Sequence, residues 1–246
     1  MNVVGVDLAS QNARTALVGL HSDGDHVRVS LVHNGCDDDQ IIEAAREADM
    51  VGLDSPLGWP EPFVEFVTSQ QAGLLDPADL MDREAKARLA FRQTDAAVLA
   101  AGAGRPLSVS TGFLSYVAMR AAALQARLSV AGMVVDRSGR TGSLIEVYPA
   151  ASLRSWGLRE HGYRQGGAAL ATALDRLLSA APFVDLGGHR DTFESSVDCF
   201  DALVAALTAL AHAFGRTVAA PDDEVYRREG WIVLPASDFL KTYGRT

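Results

Sequence analysis

Four aspartates stand where carboxylate chemistry is possible. Asp7 ends the apolar run "VVGVDLAS", and Asp54 ends a second one in "MVGLDSPLGWP". Asp198 and Asp201 lie three residues apart in "SSVDCFDALVAAL", at the start of an otherwise apolar helix, and so share a helix face. A carboxylate at the end of a buried strand is penalised by desolvation unless a proton or a cation compensates it. Hard oxygen donors of this kind suit Mg²⁺ or Mn²⁺. The expectation is a divalent-metal site held by Asp7, Asp54 and Asp198, with Asp201 beside it. The competing expectation is capping. Strand-end aspartates close turns, and Asp198 suits a helix N-terminus behind Ser195 or Ser196 as N-cap. Asp201, already inside the helix, fits capping less well.

For Asp7 and Asp54 to meet, their strands must be parallel neighbours. Residues 2–8, 15–20 and 27–32 read as three strands joined by the tight turns "QNA" and "HSDGD", an antiparallel meander. "DDDQIIEAAREAD" reads as a helix with acids in its first turn, and "MVGLD" as a short buried strand. A strand–helix–strand crossover of that length implies parallel pairing, most simply beside strand one. The two aspartates would then share the carboxyl edge of the sheet, where open α/β sheets place their sites. Further helices are expected over 83–101, 114–130, 166–180 and 196–214, with 61–105 broken up by Pro60, Pro62 and Pro77. "GMVVD", "GSLIEVYP" and "GWIVLP" read as strands.

In the last long helix Leu203, Leu207, Leu210 and Phe214 form an apolar stripe. Ala205 and Ala209 continue the side that bears the acids, which implies close approach to other protein there. Glu146 ends another strand-like run. It either joins the acidic cluster or pairs with an arginine such as Arg92 or Arg154. Together these elements describe a single α/β domain over residues 1–246, with a mixed sheet and a helical insertion around 60–130. That strand pattern belongs to the ribonuclease H-like and actin-like folds.

Composition sets the outer limits. With 48% hydrophobic and 22% charged residues among 246, the chain can bury a large core and is not a disordered polymer. No apolar stretch approaches the roughly 20 residues that span a bilayer, and no membrane partner is expected. The N-terminus shows no basic segment followed by an apolar one, so a cytoplasmic protein is the expectation. Cys36 and Cys199 are too few for a disulfide framework or a zinc cluster. The net charge of −9 weighs against an extended nucleic-acid surface. The charge is uneven, however. Residues 21–50 carry eight acids against Arg28 and Arg46, whereas residues 83–164 carry twelve Lys and Arg against five acids. Either the basic middle is solvated surface or it faces phosphate, with Arg83, Arg88 and Arg92 as candidate contacts.

The segments "GVDLAS", "GLDSPLGWP", "FRQTD", "IEVYPAAS", "DCFDALVAALTALA" and "EGWIVLP" occur in an order that resembles Domain of Unknown Function 429, a predicted nuclease group of ribonuclease H-like fold. The resemblance spans nearly the whole chain, and "GLDSPLGWP" and "EGWIVLP" are its most specific pieces. It extends distantly to the Holliday-junction resolvases, which carry an acid on strand one, an acid after strand four and a D-x-x-D-A-L helix start. Carried over, it marks Asp7, Asp54, Asp198 and Asp201 as catalytic acids. The resolvases have glutamate where this chain has the shorter Asp54. The resemblance implies a two-metal phosphodiester hydrolase: one ion on Asp7 and Asp54 activates water, and a second on Asp7 and Asp198 stabilises the leaving oxygen. Its substrate would be nucleic acid or a nucleotide.

Two rivals stand beside this reading. An ATP-dependent kinase of actin-like fold would place glycine with Ser, Thr or Lys in the first hairpin, but the turn here is "SQNART". A scaffold that kept the fold without turnover would not need divalent ions. The six histidines show no ligand spacing; His189, in the loop before the acidic helix, is the one candidate for proton transfer.

Overall fold

The computed structural model describes residues 1–76, 82–158 and 162–244. Pro77, Arg159, Glu160 and His161, which entered the sequence reading, lie outside them. The chain opens with β1 (Asn2–Asp7), β2 (Ala16–Ser22) and β3 (Val27–Asn34), then α1 (Asp38–Arg46) and β4 (Met50–Asp54). Four helices follow: α2 (Glu61–Ala72), α3 (Arg83–Ala90), α4 (Gln93–Ala100) and α5 (Leu114–Val130). After β5 (Leu144–Glu146) come α6 (Pro149–Ser155), α7 (Gly167–Ala180), β6 (Val184–Asp185), α8 (Arg190–Ser195) and α9 (Val197–Ala213). Two short helices, α10 (Glu224–Glu229) and α11 (Phe239–Thr242), finish it.

The six strands form one mixed sheet in the order β5-β4-β1-β2-β3-β6. β1, β2 and β3 are the antiparallel meander, while β4 runs parallel to β1, β5 to β4 and β6 to β3. The crossover through α1 therefore delivers β4 to the side of β1 expected from its length. α1 starts on a capping box, in which Asp37 accepts from the Gln40 amide and the Gln40 side chain accepts from the Asp37 amide.

Helices cover both faces of the sheet. Strand side chains alternate between the faces, so residues two apart share one. Val4, Val6, Val51 and Leu53 point into the core shared with Ile41 and Ala45 of α1 and Leu124 and Leu128 of α5. Val3, Gly5 and Asp7 have the opposite parity, as do Gly52 and Asp54. Their face is covered by α9, which packs across β1, β2 and β4.

The approach of α9 is closer than side chains allow. A Cβ on Gly5 would stand 2.2 Å from both the Ala202 carbonyl oxygen and the Ala206 amide nitrogen, and one on Gly52 would stand 2.7 Å from the Ala205 oxygen. Ala202, Ala205, Ala206 and Ala209 are the matching small residues of the helix, all fully buried. The stripe of Leu203, Leu207 and Leu210 is buried on the other side, so α9 is enclosed nearly all round. Gly5→Ala should therefore lower stability by roughly 1–3 kcal/mol through overpacking against backbone that cannot rotate away. Urea denaturation would measure it, and an unchanged midpoint would refute this account of the glycine.

Several elements differ from the sequence reading. The helix expected over 83–101 is two helices, broken at Phe91 and Arg92 because Arg92 turns inward to a buried network. α2 forms despite two prolines: Pro60 is its N-cap and Pro62 lies in its first turn, where no amide donor is needed. "GMVVD" is not a strand; only Val135 bridges to Gly142. "GWIVLP" makes isolated bridges, Ile232 to Glu146 and Pro235 to Thr217, at the open edge beside β5. Among the described residues no helix is long and apolar enough to cross a membrane.

Glu229, at the end of α10, is buried and accepts from the amides of Glu61 and Gln93. One carboxylate thus caps the first residues of both α2 and α4.

Candidate active site

The parallel register sets Asp7 directly opposite Asp54. Both face α9, by the same parity that points Gly5 and Gly52 at that helix. Ser196 caps α9 by accepting from the Cys199 amide, which puts Asp198 in the first turn and Asp201 one turn further, over the strand ends. All four aspartates line one cleft of about 750 Å³. Ser55 and Pro56, which follow Asp54, line it too.

The acids are crowded, and their titration shows it. Asp7 is held well above the usual carboxylate range, by burial first and then by the charges of Asp54, Asp201 and Asp198. Asp54 is raised in the same way, by burial and then by Asp201, and it lies within hydrogen-bonding reach of Asp7. Asp201 is pushed up to about 6 by burial, against the opposing pull of Arg164 and Tyr163. Two carboxyl groups this close hold a proton between them or require a cation.

The two α9 acids have protein partners. Arg14, in the short 3-10 turn Asn12–Arg14 after β1, donates to both oxygens of Asp198, at 3.0 and 3.3 Å. That turn is fixed from behind by Arg120, which donates to the Ala9 carbonyl and to Thr15 Oγ1, each at 2.7 Å. Asp201 accepts from the Tyr163 hydroxyl at 2.9 Å and pairs with Arg164 at 3.2 Å. Among the described residues, no group of three His, Cys, Asp or Glu side chains stands ready to hold a metal ion. The reason is local: Asp198 and Asp201 are turned onto guanidinium and phenol groups. The donor type still fits a hard divalent cation, since Asp7 stands among three further carboxylates and the pull of Arg164 does not offset the burial and repulsion that raise Asp7 and Asp54.

Glu146 lines the cleft, but its carboxylate is engaged. It accepts from Arg92 at 2.6 and 2.8 Å and from the Leu57 amide at 2.9 Å. Arg92 also pairs with Asp95 at 3.0 Å and donates to the Glu229 carbonyl, and all three side chains are buried. Of the two sequence alternatives for Glu146, the ion pair with Arg92 is the contact present. Arg88 pairs with Glu84 on the surface. His189 is not among the cleft-lining residues.

Arg14, Arg105, Tyr163 and Arg164 were not singled out from sequence. They lie in turns and loops, where neither periodicity nor spacing marks a residue. The family model described as "Protein of unknown function (DUF429)" matches residues 5–225. No curated protein and no solved structure matches the chain.

Proposed function

Because the chain belongs to the DUF429 family, whose description assigns no reaction, we propose its activity from the site: a divalent-metal-dependent phosphodiester hydrolase of ribonuclease H-like fold, acting on nucleic acid or a nucleotide. One observation carries the reading. Asp7 and Asp54 are register partners at the carboxyl edge of a parallel strand pair, with Asp198 and Asp201 brought over them by α9. The meander, the crossover and the flanking helices support the fold assignment.

Asp7, Asp54 and Asp198 would hold Mg²⁺ or Mn²⁺. Bound there, the ions supply Lewis acidity, easing deprotonation of water and offsetting charge on the phosphoryl oxygens. The chain's own contribution is placement. Gly5 and Gly52 seat α9 against the strands, so the four carboxylates are positioned before substrate arrives. Tyr163 and Arg164 fix the Asp201 carboxylate in orientation. Burial raises Asp201 to about 6 without a cation, and a divalent ion bound beside it would lower it again.

The test combines turnover with binding. Wild-type protein is assayed with Mn²⁺ on labelled single-stranded, duplex and branched nucleic acids and on a small aryl phosphodiester. Hydrolysis is expected in Mn²⁺ and should vanish in EDTA. Mn²⁺ at about a hundred times its dissociation constant should add about 2.7 kcal/mol, hence roughly 5–10 °C in Tm. Hydrolysis that survives EDTA, or a Tm indifferent to every divalent ion, would overturn the proposal.

A further inference from the structure

The cleft that holds the acids has two further kinds of lining residue, neither of which a metal site needs. Arg14, Arg105 and Arg164 are among its lining residues. The side chains of Arg14 and Arg164 are 69% and 54% exposed although each pairs with an α9 acid. Arg105 has no carboxylate partner among the described residues and contacts only the Phe91 ring, 5.8 Å from its centroid. Leu107 and Phe113, 73% and 90% exposed, also line it, as does Val117. An exposed aromatic ring and leucine at the rim of a charged cleft form a surface on which a flat apolar group can rest.

Several other arginines of the basic middle have partners within the protein, while Arg83, Lys86 and Arg88 are exposed outside the cleft. Arg92 sits in its buried network, Arg120 pairs with Asp38, Arg127 with Asp39 and Arg140 with Asp222. Arg137 donates to Gln125 and the Arg228 carbonyl, and Arg154 to the Ala103 carbonyl. The acidic run of α1 thus neutralises part of the basic run of α5. Part of what the sequence shows as a block of positive charge is neutralised locally. A protein that grips a long duplex neutralises several phosphates at once. Here three guanidinium groups, those of Arg14, Arg105 and Arg164, line one cavity, whose volume of about 750 Å³ is that of a small-molecule site.

We propose that this cleft takes a compact phosphoester, a mononucleotide ester or a dinucleotide, with its phosphate held by Arg14, Arg105 and Arg164 and its base resting on Phe113 and Leu107. This deepens the phosphodiester reading and rests on it, narrowing the substrate from nucleic acid in general to small nucleotides and short ends. Guanidinium forks match phosphate oxygens in pairs, which a lysine would not do. Arg14 would exchange its two-bond contact with Asp198 for an equivalent fork on the incoming phosphate, which would free Asp198 for a cation.

The test is binding, measured by calorimetry in EDTA and in Mg²⁺ with thymidine 5′-monophosphate, inorganic phosphate and a duplex of about 20 base pairs. Thymidine monophosphate should bind at one site. Arg105→Gln should weaken both it and inorganic phosphate about tenfold. Phe113→Ala should weaken the nucleotide about tenfold and leave inorganic phosphate unchanged. Both side chains are on the surface, and an unchanged Tm confirms that the variants fold. The duplex should bind no tighter than the nucleotide and lose less than about tenfold between about 50 and 200 mM salt.

A duplex that binds a hundredfold tighter with a steep salt dependence would overturn the proposal, as would no binding of nucleotide or phosphate. If divalent-dependent cleavage is still seen in either case, the hydrolase reading survives. Nucleotide binding without any divalent-dependent hydrolysis of a nucleotide aryl ester would sink the hydrolase reading and leave the ligand class standing.

Discussion

Asp7→Asn will give a protein that is folded, more resistant to heat and nearly inert. The side chain keeps its shape, so α9 and the strands have no reason to move. The loss is chemical: one carboxylate at the centre of the cluster is gone, and kcat should fall by about a hundred- to a thousandfold, the scale seen when a key electrostatic group is removed. The gain in stability follows from the direction of the titration. Asp7 and Asp54 are raised in the folded protein, so folding disfavours their charged forms. A group of this kind weakens the fold at pH values above its folded-state value. The penalty is relieved as pH falls through that value towards the unfolded value of 3.8, because the folded state then holds the extra proton. Removing the charge at neutral pH should add roughly 1 kcal/mol, or about 2–4 °C in Tm. The advantage over wild type should shrink as the pH is lowered towards 4. Thermal melts across that range check the sign. A variant less stable than wild type at pH 7.5 would show that the cluster is not under repulsive strain.

Arg92→Met should be the most damaging single change outside the cleft floor. It leaves the carboxylates of Glu146 and Asp95 buried with no counter-charge, and breaking a buried pair from one side typically removes about 3–5 kcal/mol. That is a large part of the roughly 5–15 kcal/mol that holds a domain together. Glu146→Gln should be milder, since Arg92 retains Asp95 and the Glu229 carbonyl. Burial already holds Glu146 above the usual range in spite of Arg92. Without the arginine it should take up a proton more readily, so the deficit of Arg92→Met should narrow in mild acid. Paired replacement of Arg92 and Glu146 by apolar residues should recover part of the loss. Urea midpoints for the two singles and the double give the coupling directly. A double whose loss equals the sum of the two singles would contradict it.

The parts of the fold set by periodicity were legible before any coordinates. The meander, the α1 crossover and the helices α5, α7 and α9 follow from apolar spacing and turn residues. The adjacency of Asp7 and Asp54 follows from the crossover alone. A stronger signal lay in the same strands and was passed over: "GVD" and "GLD" put a glycine two residues before each aspartate. In a strand that spacing means the same face, and the glycines are what let α9 approach it.

Other features depend on contacts that no local pattern encodes. Arg92 reads as one more charged residue of a surface helix. It is instead the point at which that helix breaks, because its guanidinium finds Asp95 nearby and two partners, Glu146 and the Glu229 carbonyl, far along the chain. Pro60 and Pro62 look like interruptions until they are placed at a helix start. Arg14 and Arg164 acquire meaning only when turns distant in sequence are folded over the strand ends. The excess charge of 83–164 has in part the same character, since Arg120, Arg127, Arg140 and Arg164 pair with Asp38, Asp39, Asp222 and Asp201.

Glu229 links regions that the chain visits more than a hundred residues apart. Its two oxygens each take one amide from a different helix, so the near ends of α2 and α4 share a single fastening. Neither helix can fray from that end without releasing an oxygen on which the other's neighbour depends. The starts of the inserted helices α2 and α4 are therefore tied to the end of α10 and, through it, to one another.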